Sequence, residues 1–194
     1  MNTNILIDDE EVLNKLKDTY LDEVLEDYMK EKNNKNFSDE KFFDAFRKLF
    51  EVLSYRSIIL PIKVNFLDNR MATLFKKGRL PKDYNPLKDP KVTIGPMAIG
   101  VGPKGVNEIH ARYALVFTSL EKLKKMKDIR FVTAYTLEEL YDEYIKDNND
   151  VDGIMINPLT DEFILSKPLC EFLLKGASDE DWEVIRNNAF KMMK

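Results

Sequence analysis

The stretch Val151-Asp-Gly-Ile-Met-Ile-Asn-Pro-Leu-Thr-Asp-Glu-Phe-Ile-Leu165 decides the fold of this chain. It contains two short runs that favour strands, Val151–Ile156 and Glu162–Leu165, and the run between them begins with Asn157 and Pro158. Asparagine and proline are typical of tight turns, because each favours backbone angles that a turn needs. The stretch therefore predicts a β-hairpin.

Two more strands are predicted upstream of the hairpin, and each is followed by a helix. The strands lie at Tyr113–Phe117 and Ile129–Ala134. Thr118–Glu121 and Thr136–Glu139 both fit the capping-box pattern, in which a threonine and a glutamate three residues later satisfy free amides at the start of a helix. This alternation predicts an α+β fold, with a mixed β-sheet and helices packed on it.

Two helices are predicted after the hairpin. Ser166 is placed to cap the first, and Gly176 ends it, because glycine is favoured just beyond the end of a helix. Ser178 opens the last helix, which contains Trp182.

The first part of the chain predicts a helical hairpin in front of the sheet. Its first helix has apolar residues at helical spacing, namely Leu13, Leu16, Tyr20, Leu21, Val24, Leu25 and Tyr28. A polar break at Lys32–Asn36 separates it from a second helix, with Ser38 as the predicted cap and Phe37 and Phe42 as a hydrophobic staple. The second helix is rich in phenylalanine on one face, which predicts packing against a sheet.

We expect one α+β domain with an extension and an insert. Residues 1–36 form the acidic helical extension, 37–194 form the domain, and a Pro/Gly-rich insert lies at about 65–110. Six of the eight prolines and five of the seven glycines lie between Pro61 and Gly105, which predicts loops and short strands, such as Val92–Ile94 and Met97–Val101, instead of long elements. Ile58–Val64 predicts a strand ahead of the insert, with Pro61 at an edge or a bulge.

The composition limits the class of protein. The 194 residues are 44% hydrophobic and 33% charged, which predicts a globular core instead of disorder. The net charge of −4 argues against nucleic acid and an anionic membrane surface as partners. A single cysteine indicates no internal disulfide, and no apolar run approaches the ~18 residues of a membrane span. The N-terminus has no signal-peptide pattern, so we expect a cytoplasmic protein.

Two short motifs resemble ligand-binding sequences but fail on their context. Gly100-Val-Gly-Pro-Lys-Gly105 matches the dinucleotide-binding pattern, yet a strand instead of a helix is predicted after it, and Pro103 lacks an amide for the phosphate. Asn148-Asn-Asp-Val-Asp-Gly153 resembles part of a calcium loop, but its twelfth position is Leu159 where a glutamate is needed. We therefore expect no cofactor and no metal.

The residues that most often carry catalysis are isolated in this sequence. His110 is the single histidine, and no cysteine or second histidine stands at metal-ligand spacing from it. Cys170 falls on what is predicted to be the buried side of a helix, where thiols are mostly inert. These patterns assign no catalytic residue and favour a protein that is not an enzyme.

Charge is distributed unevenly along the chain. Asp8–Asp27 contains nine acids and two lysines, whereas Arg70–Lys91 contains seven basic residues and two acids. Stretches of one sign are usually solvated surfaces, but a basic stretch also suits an acidic partner or a phosphate.

The third part of the chain resembles the N-terminal domain of the SseB family, named for enhanced serine sensitivity. The residues that carry the resemblance are Ala114-Leu-Val-Phe-Thr-Ser-Leu-Glu-Lys-Leu123, Leu137-Glu-Glu-Leu140, Val151-Asp-Gly-Ile-Met-Ile-Asn-Pro158 and Phe163-Ile-Leu165. It covers about 39–174 and leaves out the acidic helix and much of the insert. The resemblance implies an α+β cytoplasmic protein of bacteria with no established biochemical activity, and it assigns no catalytic residue.

The strand ends supply the candidate site residues. If the three strands before the hairpin turn are parallel neighbours, their carboxyl ends bring Thr118, Ser119, Asn157 and Pro158 to one crevice, which is where such sheets bind ligands. The alternative role of the same residues is helix capping and turn formation.

The favoured function is a non-enzymatic protein-interaction or regulatory module with a protein partner, and a homodimer is compatible with the sequence. Two alternatives stay open. One is a small-molecule or peptide binder that uses the strand-end crevice. The other is an enzyme built on threonine, aspartate and glutamate without a histidine or cysteine centre.

Overall fold

Helices and two β-sheets make up the fold, as a computed structural model shows for residues 6–7, 19–34, 39–81, 84–102, 110–126, 129, 131–160, 162–176 and 178–184. The helices are α1 Tyr20–Lys32, α2 Asp39–Tyr55, α3 Asn69–Lys76, α4 Leu120–Leu123, α5 Leu137–Leu140 and α6 Lys167–Leu174. A π-helical turn, Tyr141–Ile145, continues α5, a 3₁₀ turn spans Pro86–Lys88, and residues 179–184 are helical. The α+β prediction is confirmed.

The strands are β1 Leu6–Ile7, β2 Ile58–Phe66, β3 Val92–Pro96, β4 Ala98–Val101, β5 Ala111–Val116, β6 Phe131–Tyr135, β7 Gly153–Ile156 and β8 Phe163–Ser166. One sheet has the order β1-β6-β2-β3 and the other β4-β5-β7-β8. β5 and β7 are parallel, and β7 and β8 form the predicted antiparallel hairpin.

One extended segment connects the two sheets. β3 leads directly into β4 through Met97, whose amide donates to the Pro61 carbonyl at 2.9 Å while its own carbonyl accepts from Leu115 at 2.8 Å. An isolated pairing of Ile59 with Phe117 makes a second connection. The strand-end region of one sheet and the β2 region of the other are therefore fixed relative to each other by main-chain bonds.

The prediction that three neighbouring strands run parallel is wrong for β6. β5 and β7 are parallel neighbours, but β6 lies in the other sheet, antiparallel to β2. The reason is the short crossover between β5 and β6. Its helix α4 has four residues, about 6 Å at 1.5 Å per residue, which is too short to return the chain along the length of a neighbouring strand.

Pro61 was predicted at an edge or a bulge, and the edge alternative is wrong, because β2 has neighbours on both sides. Its main chain points to the same side as that of Ile59, which exchanges hydrogen bonds with Phe117 at 2.8 and 2.9 Å. On that side the partner of β2 changes from Phe117 to β3. The amide that proline lacks falls at this change of partner, where a ladder bond is not needed.

Helix α3 was not expected in the Pro/Gly-rich insert. Asp68 caps it, because its carboxylate accepts hydrogen bonds from the amides of Arg70 at 2.7 Å and Met71 at 3.4 Å. Residues 69–76 contain neither proline nor glycine, so nothing in the run itself opposes a helix. The high content of proline and glycine elsewhere in the insert is the reason that the sequence predicts only loops and short strands there.

Helix starts follow the predicted caps with one shift. Thr136 forms the full capping box with Glu139, as predicted. At α4 the cap is Ser119 instead of Thr118, because the Ser119 hydroxyl accepts from the Lys122 amide at 3.3 Å. Ser166 occupies the cap position of α6 without a side-chain capping bond. The predicted cap Ser38 and the staple residue Phe37 lie outside the described residues, as do Leu13 and Leu16.

Helices α1 and α2 run antiparallel, as the predicted hairpin requires. The Tyr28 ring lies 5.5 Å from that of Phe42 near the start of α2, while the Arg56 guanidinium, just after α2, lies 5.3 Å above the Tyr20 ring. The hairpin also packs on the sheet, since the Phe163 ring of β8 lies 5.3 Å from Tyr28. Helix α1 therefore shares one hydrophobic core with the sheet.

The phenylalanine-rich face of α2 fills the centre of that core, as predicted. Phe50 is 1% exposed and lies 6.1 Å from Phe163 and 5.8 Å from Trp182, both edge to face. Such aromatic pairs contribute about 0.5–1.5 kcal/mol each beyond the burial of their area. Two smaller clusters complete the interior, one centred on Phe117 and the other on Val64 and Phe131.

No helix in the described ranges is long and apolar enough to cross a membrane.

Candidate binding groove

Thr118 and Asn157, the predicted strand-end residues, meet at the carboxyl ends of β5 and β7. The Thr118 amide donates to Asn157 Oδ1 at 3.0 Å, and Asn157 Nδ2 donates to Thr118 Oγ1 at 2.7 Å. The Asn157 amide donates to the Val116 carbonyl at 2.9 Å. These bonds lock the end of one strand to the turn that follows the other.

Helix α1 covers this strand-end cluster. The Thr118 hydroxyl donates to the Asp22 carboxylate, and one helical turn further along both elements Lys122 Nζ lies 3.4 Å from Glu26 Oε1. Two acids of α1, Asp22 and Glu26, are therefore paired with polar groups of its own chain. Helix α1 of the same chain therefore occupies the crevice that the sequence predicts at the strand ends.

Burial of the cluster agrees with a structural role. Thr118 is 4% exposed, Ser119 is 3% exposed, Asn157 is fully buried, and Pro158 is buried too. Asn157 has a positive φ of 49°, which asparagine tolerates better than most residues. A ligand role for these four residues stays a prediction, and it requires α1 to move away.

The isolated reactive residues do not meet in the structure. Cys170 is fully buried, and burial raises the pKa of its thiol to about 12, so that the reactive thiolate is scarce at neutral pH. His110 is exposed at the start of β5. Within the ranges that the structure covers, no group of three histidine, cysteine, aspartate or glutamate side chains could hold a metal ion.

The calcium-like stretch forms a turn between the π-helical turn and β7. Asn148 Oδ1 accepts from the Asp150 amide at 2.9 Å, and Asp152 Oδ2 accepts from the Arg112 amide at 2.7 Å. These bonds use two of the oxygens that a cation would need. In the glycine-rich stretch, residues 103–109 lie outside the described residues.

A groove between β2 and α3 is the strongest candidate site. It has a volume of about 530 Å³, within the range of ligand pockets. It is lined by Ile62–Phe66 of β2, by Ala72, Phe75 and Lys76 of α3, and by Met97 and Phe131. We call this the β2–α3 groove.

Aromatic rings form the apolar part of the β2–α3 groove. The Phe75 ring lies 5.2 Å from Phe66 and 5.7 Å from Phe131, and Phe66 also stacks on Tyr84 at 6.3 Å. Phe66 and Phe75 are partly exposed, whereas Phe131 is buried. Rings held by one another in this way keep an apolar wall in place with little loss of side-chain freedom when a ligand binds.

The charged groups of the groove are all cations among the described lining residues, namely Lys63 and Lys76. Both side chains are exposed, and neither is ion-paired with another residue that the structure describes. One of them lies on β2 and the other on α3. The groove therefore combines apolar surface with two cations that have no counter-charge from the described chain.

Two acids near the groove, Asp68 and Asp89, form local hydrogen bonds. Asp68 caps α3, and Asp89 accepts hydrogen bonds from the Tyr84 hydroxyl at 2.5 Å and the Lys91 amide at 2.8 Å. The tyrosine bond and then the amide bond hold the pKa of Asp89 below its usual value. Burial and this bond to Asp89 raise the pKa of Tyr84 to about 12. Both acids stabilise local backbone, and the structure shows no ion pair of either with Lys63 or Lys76.

The sequence signals only part of this groove. The excess of basic residues at Arg70–Lys91 is visible in the sequence, and Phe75 lies within that stretch. Lys63 appears as a charge inside the apolar strand Ile58–Phe66. Phe131 is distant in sequence, and α3 was not predicted, so the pairing of β2 with α3 could not be found from the residues alone.

Comparison with known proteins adds no relative. The α+β fold and the groove define a class of architecture, but no family model matches the chain, and neither a curated protein nor a solved structure matches it.

Proposed function

We propose that this chain is a non-enzymatic, cytoplasmic protein-interaction module that holds a segment of a partner protein in the β2–α3 groove. The observation that carries the proposal is the exposed apolar wall of Phe66 and Phe75 beside two lysines without a described counter-charge. The proposal also agrees with the SseB resemblance of the sequence, which implies a protein without an established activity.

The rest of the structure supports binding over catalysis. Thr118 and Asn157 are hydrogen-bonded to each other and covered by α1, and the Cys170 thiol is buried. The side chains that line the groove are two lysines, one asparagine, and aliphatic, methionine and phenylalanine groups. Such groups suit recognition of a partner, with an aromatic anchor and a charged rim.

A small molecule is the second candidate for the same groove. A volume of about 530 Å³ is large enough for a compact ligand with an apolar body and a negative group. The partner segment is preferred because the groove continues along a strand, Ile62–Phe66, and so presents an elongated surface.

The experiment that tests this function is site-specific photo-crosslinking in cells. A photoreactive phenylalanine analogue replaces Phe75 in the groove or, as the control, Tyr55, which is 58% exposed on α2 and is not one of the residues that line the groove. We expect a defined protein to crosslink from position 75 and not from position 55. The partner is then purified, and we expect its affinity for the chain to fall when Phe75 is replaced by aspartate.

Two results would overturn the proposal. One is equal crosslinking from the two positions, and the other is an affinity of the purified partner that Phe75→Asp leaves unchanged. A metabolite that raises the melting temperature of the wild type but not of Phe75→Asp, with no crosslinked protein, would favour the small-molecule alternative.

A further inference from the structure

We propose that the partner segment held by the β2–α3 groove is an extended, acidic peptide that adds to the sheet as a strand beside β2. This inference rests on the proposed function, because it names the chemistry and the binding mode of the segment that the groove would hold.

Main-chain hydrogen bonds show which way β2 points its polar groups. Along a strand, alternate residues direct their N–H and C=O groups toward the same neighbour. The Pro61 carbonyl accepts from the Met97 amide at 2.9 Å, and the Leu67 amide donates to the Lys91 carbonyl at 3.0 Å. In this part of β2, the N–H and C=O groups of odd-numbered residues therefore point toward β3. Those of even-numbered residues point to the opposite side.

Along the groove, the opposite side of β2 is not paired with any strand that the structure describes. The main-chain groups of Val64 and Phe66 point there, toward the side on which β6 lies. The pairing of β2 with β6 ends at Pro61 opposite Val132, and β6 begins at Phe131. Among the residues whose placement is known, no strand lies against this side of β2 beyond that point. Two alternate residues thus hold donors and acceptors in place for an added strand.

The two faces of an added strand would meet different chemistry. Successive side chains of a strand point to opposite faces of the sheet. Val64 and Phe66 belong to the face that Phe75 covers, whereas Lys63, which precedes Val64, belongs to the other face and is exposed. The preferred segment therefore alternates apolar residues, directed at the aromatic wall, with residues directed at the Lys63 side.

Charge decides the second set of residues in the segment. Lys63 and Lys76 are both cations, and the surrounding stretch Arg70–Lys91 contains seven basic residues and two acids, of which Asp89 is bonded to Tyr84. Glutamate or aspartate in the segment gains attraction from these lysines, and lysine or arginine is repelled. The geometry thus points to a segment in which acidic and apolar residues alternate.

The test uses the full chain and short fluorescein-labelled peptides, with binding measured by fluorescence anisotropy. In the acidic probe, valine alternates with glutamate, and in the matched basic probe lysine replaces glutamate. We expect the acidic probe to bind at least about tenfold more tightly, with an affinity that falls as salt is raised. Lys63→Glu with Lys76→Glu should reverse this preference, while the control pair Lys124→Glu with Lys125→Glu, the same charge change on exposed residues, should preserve it.

Two methylated probes test strand addition itself. One carries N-methyl groups on its valines and the other on its glutamates, so each loses the amide donors of one strand edge. Strand addition predicts that one probe loses at least about tenfold in affinity while the other binds nearly as well as the unmodified peptide.

The outcomes separate this inference from the proposed function. Equal binding of the acidic and basic probes, equal effects of the two methylation patterns, or no binding of any probe would overturn the inference. Crosslinking of a partner at position 75 would in each of these cases leave the proposed function standing. If the acidic probe binds as expected but no protein crosslinks at position 75, the proposed function as a binder of a partner protein is overturned instead.

Discussion

The strand-end cluster and the β2–α3 groove both hold polar groups beside an apolar core, but they use those groups in opposite ways. At the strand ends, Thr118 and Asn157 bond to each other and Asp22 covers them. In the groove, Lys63 and Lys76 are exposed and have no ion-pair partner among the described residues. One region is closed by its own chain, and the other presents charge to the outside.

This difference shows how a structural polar cluster can be told from a binding surface. Buried polar groups cost free energy unless each finds a partner, so a cluster whose donors and acceptors are satisfied internally stabilises the fold. Exposed cations beside apolar surface cost little in the free protein and gain energy when an anionic group approaches. Predictions about the closed region therefore concern stability, and those about the groove concern binding.

The largest expected effect is on Gly153, the first residue of β7, the strand that leads to Asn157. In Gly153→Ala the new Cβ would lie 2.1 Å from the Leu165 carbonyl oxygen, at a φ of 153°. Because the three nearest atoms all belong to the main chain of β8, we expect a loss of at least about 3 kcal/mol in the free energy of unfolding, measured with urea. Gly95→Ala in β3 is the control, because nothing lies within 4 Å of its added Cβ. Similar losses for the two variants would contradict the close packing of β7 on β8.

A smaller loss is expected when the strand-end bonds are removed. Asn157→Ala deletes both side-chain hydrogen bonds to Thr118 and leaves the buried main-chain amide of Thr118 without this acceptor. The free energy of unfolding, measured by heat or urea, should fall by about 2–4 kcal/mol. Leu159→Ala provides the control, since Leu159 also has a positive φ, 76°, but is 73% exposed. We expect about 0.5 kcal/mol or less for the control. A stable Asn157→Ala protein would mean that the cluster is not structural.

The hydrogen bond between Tyr84 and Asp89, which lies near the groove, should make the free energy of unfolding depend on pH. The pKa of Asp89 is lowered on folding, so its contribution is present above the ordinary aspartate pKa of about 3.9 and is lost as pH falls through the lowered value. The pKa of Tyr84 is raised to about 12, so the contribution of its neutral hydroxyl is present below pH ~10 and is lost as pH rises through the raised value.

Tyr84→Phe should therefore lower stability most at neutral pH. The difference from wild type should shrink at both acidic and alkaline extremes, as measured by urea midpoints across the pH range. Tyr55→Phe, which removes a hydroxyl from an exposed ring, sets the baseline. A difference for Tyr84→Phe that is constant from pH 3 to neutral would count against the contribution of Asp89.

The smallest effect on stability is expected from the groove lysines. Lys63→Glu with Lys76→Glu changes two exposed side chains that the described chain does not ion-pair, so unfolding free energy should change by no more than about 0.5 kcal/mol. The same variant should reverse the charge preference for peptides. A large loss of stability would show that the two lysines stabilise the fold, and would contradict their assignment to partner binding.

Local patterns in the sequence predicted most of the elements. The hairpin β7–β8, the strands β2 and β5 and the capping box at Thr136 follow from residue types that are close together in the chain. Ser119 replaced Thr118 as a helix cap because the Thr118 hydroxyl bonds to Asp22, a residue far away in sequence. Such a long-range partner leaves no local signal.

The arrangement of strands and the groove could not be predicted in the same way. The position of β6 beside β2 depends on a crossover whose helix is too short for a parallel neighbour, which the sequence indicates only weakly. The groove joins Lys63, Phe75 and Phe131 from three separate segments. The basic stretch Arg70–Lys91 indicates part of the groove in the sequence. Only the folded chain brings the apolar wall together with the edge of β2 that no described strand pairs with.

The most direct measurement of the central claim is an NMR titration of the 22.7 kDa chain with the acidic peptide, following the backbone amide signals. We expect the amide signals of Val64 and Phe66 to shift and these amides to become protected from exchange with solvent, together with those of α3. The amides of Thr118 and Asn157 should stay unchanged. Protection confined to Thr118 and Asn157, with β2 unaffected, would contradict the assignment of binding to the groove.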